Sequence, residues 1–144
     1  MLRQGGDQAG NPFTLVPVYD ADTLRRLKPE RRGWRELFGV ETPGVYAFAK
    51  AKDGRSKYVS RMFSPDMPSG EDAATGSAAA ALIGLLASKE TESDCHRVLS
   101  LIQGREMNRP SEIEMIYSVR NGQLAQAGIG GKAVIVQTGK LHID

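Results

Sequence analysis

The residues able to do chemistry gather in one run, Glu71-Asp72-Ala73-Ala74-Thr75-Gly76-Ser77-Ala78. It leads into Ala-Ala-Ala-Ala-Leu-Ile-Gly-Leu-Leu-Ala, apolar on every side, which predicts a helix over 78–87 buried all round. Gly76, Ser77 and Ala78 then present backbone N–H groups at a helix N-terminus, a ready anion site carrying roughly half a positive charge. Glu71 and Asp72 place carboxylates beside it. A carboxylate next to a bound acid holds its proton more tightly, which suits proton transfer. The same residues also fit plain capping, because an acid and then Thr or Ser before a helix satisfies orphan N–H groups. Residue type alone leaves both readings open.

The elements that must position this corner follow from patterning. Phe13–Val18 is a β-branched apolar run, a strand placed at an edge or bulge by Pro17. Asp20-Ala21-Asp22 caps a short helix that ends before Pro29. Trp34, Leu37 and Phe38 have the spacing of one helix face, with Gly39 as its C-cap. A turn at Pro43-Gly44 leads to a strand over 45–49, and Lys52-Asp53-Gly54-Arg55 signals a hairpin to a strand over 58–63. Residues 64–70 read as loop, and 88–97 as a polar loop holding Cys95. Further strands are expected over 98–103, 113–119 and 133–138. Asn121-Gly122 is the strongest hairpin signal, and Gly128-Ile129-Gly130-Gly131 reads as a turn or bulge. Residues 1–12 are polar, glycine-rich and aperiodic, and are expected to fray. The pattern predicts an α+β domain, a largely antiparallel sheet wrapping one very hydrophobic helix.

Composition narrows the function classes. A chain of 144 residues is one domain's worth. Nineteen basic against 17 acidic residues is too even for a nucleic-acid or membrane-surface protein. The longest apolar run, 78–87, is half the ~20 residues of a spanning helix. The N-terminus lacks a signal peptide's apolar stretch, so a soluble cytoplasmic protein is expected. A single cysteine, Cys95, excludes an internal disulfide and a multi-cysteine zinc site, and no metal site is expected. Cys95 and His96, as sequence neighbours, do not form a catalytic pair on a helix. His142 reads as tail or surface strand, Arg25-Arg26 and Arg31-Arg32 as a solvated face, and Trp34 as a core anchor.

Several separated segments carry a family resemblance. Ser60-Arg61-Met62-Phe63-Ser64-Pro65, followed by Gly70 to Ala78, resembles the second half of the phenazine biosynthesis PhzF-like family. That family has an Arg-aromatic-x-Pro stretch and then Glu-Asp-Pro-x-Thr-Gly-Ser/Asn-Ala. Gln103-Gly104-Arg105-Glu106-Met107-Asn108-Arg109-Pro110-Ser111 is similar to its Gln-Gly-x-x-x-Gly-Arg-Pro segment, and Gly130 to Val134 to its terminal strand. Phe13–Val18 with Ala21–Pro29 is similar to its strand and short helix. Ala73 replaces the family's usual proline, and Asn108 its glycine.

The resemblance implies a diaminopimelate-epimerase-like fold: two similar halves, each a curved, mostly antiparallel sheet around a central helix, with the active site between them. Residues 13–144 correspond to the second half. It further implies a cofactor-independent isomerase that shifts a proton on a small carboxylate metabolite. Asp72 is then the assisting catalytic residue, and Glu71, Thr75, Gly76, Ser77 and Ala78 bind substrate. The family's catalytic glutamate belongs to the first half and has no counterpart assigned here, Gly10-Asn11-Pro12 included. Related racemases place a cysteine in Cys-Gly-Thr-Gly before the central helix; Ala73-Ala74-Thr75-Gly76 stands here instead, which disfavours a two-thiol mechanism. The chain is expected to be inactive alone and to pair as a homodimer or with a separate N-terminal half, hiding an apolar face that includes the Tyr46 and Met62 strands. The competing expectation is a non-catalytic half-domain that binds a small carboxylate or self-associates.

Overall fold

A computed structural model of the chain describes residues 12–39, 44–52 and 57–142. The strands are β1 (Phe13–Pro17), β2 (Gly44–Lys50), β3 (Tyr58–Phe63), β4 (Glu71–Asp72), β5 (Cys95–Gln103), β6 (Ser111–Arg120) and β7 (Gln123–Gly131). The helices are α1 (Ala21–Arg26), α2 (Trp34–Phe38) and α3 (Gly76–Ala87), with a 3-10 turn at Arg105–Met107. The sheet runs β1-β2-β3-β5-β6-β7, with β4 pairing β3 beside β5. β1–β2 and β3–β5 are parallel and the other pairs antiparallel. It is a curved, open half-barrel, one half of a diaminopimelate-epimerase-like fold, with α3 packed in its hollow.

Strand alternation sorts the core onto two faces. Tyr46, Phe48, Tyr58, Met62, Leu101, Ile113, Met115 and Tyr117 point inward and enclose Ala78, Ala79, Leu82 and Ile83 of α3. The intervening Val45, Ala47, Ala49, Val59 and Phe63 point outward against Leu24 of α1 and Trp34 of α2. Both faces of β2 and β3 are therefore covered, and their near-continuous apolar sequence follows from that.

Several expectations are corrected. The central helix is not among them: every residue of α3 from Ser77 to Ala87 is buried or half-buried, with Leu85 and Leu86 packed against the core. Tyr46 and Met62 are buried in the core cluster that also holds α3, so their strands expose no apolar face. Leu37 points to solvent while Trp34 and Phe38 stack with ring centroids 4.8 Å apart, because a five-residue helix has too few turns for a full stripe. Residues 95–97 belong to β5, and Cys95 is its buried first residue; exposed His96 and Val98 alternate with half-buried Arg97 and Leu99, a period-two pattern that polar Arg97 on the covered face and apolar Val98 on the exposed one obscure in the sequence. Gly128–Gly131 lie in β7, paired with Ile113–Ile116, rather than in a turn. Residues 133–138 form no strand, and Val134, Ile135 and Val136 are 84–90% exposed.

Other expectations hold. Asp20 caps α1, accepting from the Thr23 N–H at 2.8 Å, and β1 is an edge strand. Asn121 and Gly122 both have positive φ, the requirement of the tight β6–β7 turn. The turn residues Pro43 and Asp53-Gly54-Arg55, and residues 1–11, lie outside the described residues.

Candidate functional site

Alternation along β4 separates the two adjacent carboxylates. Glu71 lies opposite Phe63 and faces outward; Asp72 lies opposite Met62 and faces α3. On the outer face, both Glu71 oxygens bind Arg61, at 2.8 Å to Nε and 2.7 Å to Nη2. Arg61 Nη1 donates to the carbonyls of Leu24, Arg25 and Leu27, closing the C-terminus of α1. Its guanidinium lies 4.7 Å from the centroid of the Phe63 ring. The Glu71 hydrogen bonds keep Arg61 firmly protonated. This bidentate pair anchors β4 and α1 to the sheet.

On the inner face, a hydrogen-bond chain ends at Asp72. Ser60 Oγ donates to Tyr46 Oη at 2.8 Å, and Tyr46 Oη donates to Gln103 Oε1 at 3.0 Å. Gln103 Nε2 donates to Thr75 Oγ1 at 3.0 Å and to the Asp72 carbonyl at 2.8 Å. Thr75 Oγ1 donates to Asp72 Oδ2 at 2.6 Å, and the Thr75 N–H donates to Gln103 Oε1 at 3.2 Å. Gln103 is fully buried and uses two acceptor and two donor positions. Burial pushes the Tyr46 phenol well above its usual range, so it stays a donor.

Gly104 permits the close approach behind this chain. A Cβ there would meet the Ala73 carbonyl at 2.7 Å and collide with the Arg109 carbonyl, and its φ of +80° strains any L side chain. The Gln-Gly pair thus joins the end of β5 to the backbone entering α3.

Thr75 is the N-cap residue of α3, yet its hydroxyl turns back to Asp72 and makes no capping bond to the helix. The first intrahelical bond runs from Ala79 N–H to the Thr75 carbonyl at 3.1 Å. The amides of Gly76, Ser77 and Ala78 precede it and lack intrahelical partners. Gly76 is exposed, Ser77 is half-buried and Ala78 is fully buried. Ile129 of β7 borders this end, 3.8 Å from where a Gly76 Cβ would stand.

The structure therefore brings Asp72, Thr75, Gly76, Ser77 and Ala78 together and turns Glu71 to the opposite face. Sequence reasoning assigned no role to Gln103, Tyr46 or Ser60. The available signal was a polar group on the inward face of a strand, at Tyr46 in β2, Ser60 in β3 and Gln103 in β5. Cys95 and His96 are separated by strand alternation, one buried and the other exposed with Nδ1 2.9 Å from Ser118 Oγ. Among the described residues, no group of three or more His, Cys, Asp or Glu is placed to hold a metal ion. None of their helices is long and apolar enough to cross a membrane.

Comparison with known proteins places this geometry. The family model for PhzC-PhzF, phenazine biosynthesis-like protein, matches residues 6–139. An uncharacterized isomerase of Mesorhizobium japonicum is 38% identical over 141 residues, spanning 94% of this chain and 46% of the relative. The trans-2,3-dihydro-3-hydroxyanthranilate isomerase of Pseudomonas fluorescens is 34% identical over 132 residues, spanning 92% and 45%. The crystal structure of a Bacillus anthracis phenazine biosynthesis protein of the PhzF family superposes with a TM-score of 0.75 at 25% identity, covering 93% of this chain and 46% of that one. The chain spans about half the length of the curated relatives it matches. With the family model running almost end to end and isomerases among its relatives, the chain belongs to the phenazine biosynthesis-like PhzC-PhzF family.

Proposed function

We propose that this chain supplies the second-half wall of a PhzF-like isomerase, shifting a proton on a small carboxylate metabolite without a cofactor. The observation that carries it is the α3 N-terminus, where the Gly76, Ser77 and Ala78 amides stand without capping side chains next to Asp72. The substrate carboxylate binds those amides, held by their dipoles and by Ser77. Thr75 fixes Asp72 through Oδ2, leaving Oδ1 to carry or orient a proton. Glu71 serves this site at one remove, by holding Arg61 and the β4 backbone in place.

Proton transfer needs a base within hydrogen-bond reach of the moving proton. On this reading the second group comes from a second copy or from a separate N-terminal half, and the isolated chain does not turn over. The setting is cytoplasmic, and neither nucleic acid nor membrane takes part. A non-catalytic carboxylate-binding half-domain is the second reading, favoured by uncapped α3 amides that can hold a carboxylate whether or not a base faces them.

The experiment is deuterium incorporation from heavy water into candidate carboxylic acids, with the chain alone and after assembly with a first-half partner. The assembled form should exchange, and Asp72→Asn should slow it about 10²-fold or more, the usual worth of acid–base assistance. Exchange by the pure monomer would refute the two-wall reading, and an unchanged Asp72→Asn rate would leave Asp72 a structural residue. Anion binding without exchange in any assembly would favour the second reading.

A further inference from the structure

The outer face of the sheet holds a cleft on the side opposite α3. β3 and β5 run parallel there, with Val59 beside Ile102. One bank of the cleft is α1, and the other is the 3-10 turn that follows β5. The space between them is about 460 Å³, a size that suits a small molecule. Leu24, Val59 and Ile102 give it an apolar floor. Asp22 and Arg25 line it from α1, and Arg105, Glu106 and Asn108 from the turn, so charges of both signs ring that floor.

Glu106 is the residue that points to a ligand. Its side chain is only 22% exposed, and its contact with Arg61 Nε is a long 3.9 Å. That Nε already donates to Glu71 at 2.8 Å, and Nη2 does so at 2.7 Å. Nη1 serves the three carbonyls at the end of α1. Two covered carboxylates therefore share one guanidinium, and Glu71 takes its hydrogen bonds. A negative charge is left at the cleft, a costly state that a ligand's cation would relieve. Asn108 adds a second polar group. Its φ of +55° is left-handed, a conformation that glycine adopts freely, yet here it carries a carboxamide into the lining.

We propose that this cleft binds an α-amino acid with a large apolar side chain, at a site separate from the α3 corner. The ligand's ammonium pairs with Glu106 on one bank. Its carboxylate is held by Arg25 on the other bank and by the Asn108 carboxamide, and its side chain covers Val59 and Ile102. Arg25 is available for this role, because its pair with Asp22 is 3.6 Å long and solvent-exposed, and so worth little. A ligand with one charge would satisfy one bank only; a zwitterion satisfies both. The isomerase reading is not required, since no proton is transferred and no second half takes part.

The test is an NMR titration of the isotope-labelled full chain with three probes. L-Phenylalanine carries both charges, phenethylamine lacks the carboxylate, and 3-phenylpropanoate lacks the ammonium. Phenylalanine should give saturable amide shifts at Val59, Ile102 and Glu106 to Asn108, and loss of either charge should weaken binding about tenfold. Glu106→Gln should weaken phenylalanine and phenethylamine about tenfold and leave 3-phenylpropanoate unchanged at this site. Arg25→Gln and Asn108→Gly should do the converse, weakening phenylalanine and 3-phenylpropanoate and sparing phenethylamine. Arg25 is solvent-exposed and glycine suits the backbone at 108, so the fold should persist, which the same spectra report. Absence of saturable shifts at the cleft overturns the proposal. So does an affinity indifferent to which charge is removed, or phenylalanine binding that is unchanged in Glu106→Gln. Phenylalanine shifts confined to the Gly76, Ser77 and Ala78 amides would also overturn it, while leaving the α3 reading standing.

Discussion

The two ends of α3 are built from similar residue types and finished differently. At the C-terminal end, Glu90 accepts from the Tyr117 hydroxyl at 2.7 Å and from Arg97 at 3.1 Å, and Arg97 also reaches Glu92 at 2.6 Å. The helix carbonyls there are occupied too: the amides of Ser88, Lys89 and Glu90 donate to Gly84, Leu86 and Ala87. At the N-terminal end, Asp72 and Thr75 are fixed just as firmly, yet the adjacent Gly76 and Ser77 amides receive no capping side chain. A structural corner closes every group on itself. The N-terminal corner holds its frame rigid and leaves donors open, as a pre-organised binding site does.

The difference between the ends depends on the helix that separates them, so the largest effect should come from its core. Leu82 is fully buried, and Leu82→Ala should cost about 2–5 kcal/mol in chemical denaturation. A change within about 0.5 kcal/mol, the usual range for surface substitutions, would place α3 at the surface. Next comes the frame of the open end. Gln103→Leu removes a partner from the Tyr46 hydroxyl, the Thr75 amide and the Asp72 carbonyl; Tyr46 keeps Ser60 and the Asp72 carbonyl is only partly buried, so the Thr75 amide is the group left orphaned and the change should cost about 1–3 kcal/mol.

The closed end should show itself in pH dependence. The Tyr117 hydrogen bond, and then Arg97, hold the Glu90 carboxyl below its ordinary value. A lowered folded pKa contributes stability that is present above the unfolded value and is lost as pH falls through the folded one. Stability should therefore drop on the acid side, and Glu90→Gln should flatten that limb in denaturation curves taken across acid pH. The smallest effect is expected at Asp72. Asp72→Asn keeps an acceptor for the Thr75 hydroxyl, so stability should move by less than about 1 kcal/mol, the net worth of one hydrogen bond.

Much of the architecture was legible in sequence because burial leaves simple marks. The doubly covered β2 and β3 read as apolar runs, Asp20 as a cap, and Asn121-Gly122 as a tight turn. What failed depended on partners far along the chain. Gly128–Gly131 reads as a turn until β6 is laid beside it. Residues 133–138 carry every local mark of a strand and pair with no strand among the described residues. At the candidate site, Asp72, Thr75, Gly76, Ser77 and Ala78 lie together at the start of α3, as their adjacency in the chain requires. That Glu71 turns to the other face follows from β4 being a strand, and two residues inside a loop-like stretch give no periodicity to reveal it. Gln103 is 28 residues beyond Thr75, and only the parallel pairing of β3 with β5 brings Ser60, Tyr46 and Gln103 under the helix end.

The central claim is that the N-terminal corner of α3 holds a small carboxylate on open amides. Its most direct test is a titration of the isotope-labelled chain with anthranilate, following every backbone amide by NMR. The account predicts saturable shifts concentrated at Gly76, Ser77 and Ala78, weakened by chloride or sulfate competition and absent around Glu90 and Arg97. Shifts spread evenly over the surface, or none at the three amides while the fold is intact, would contradict it.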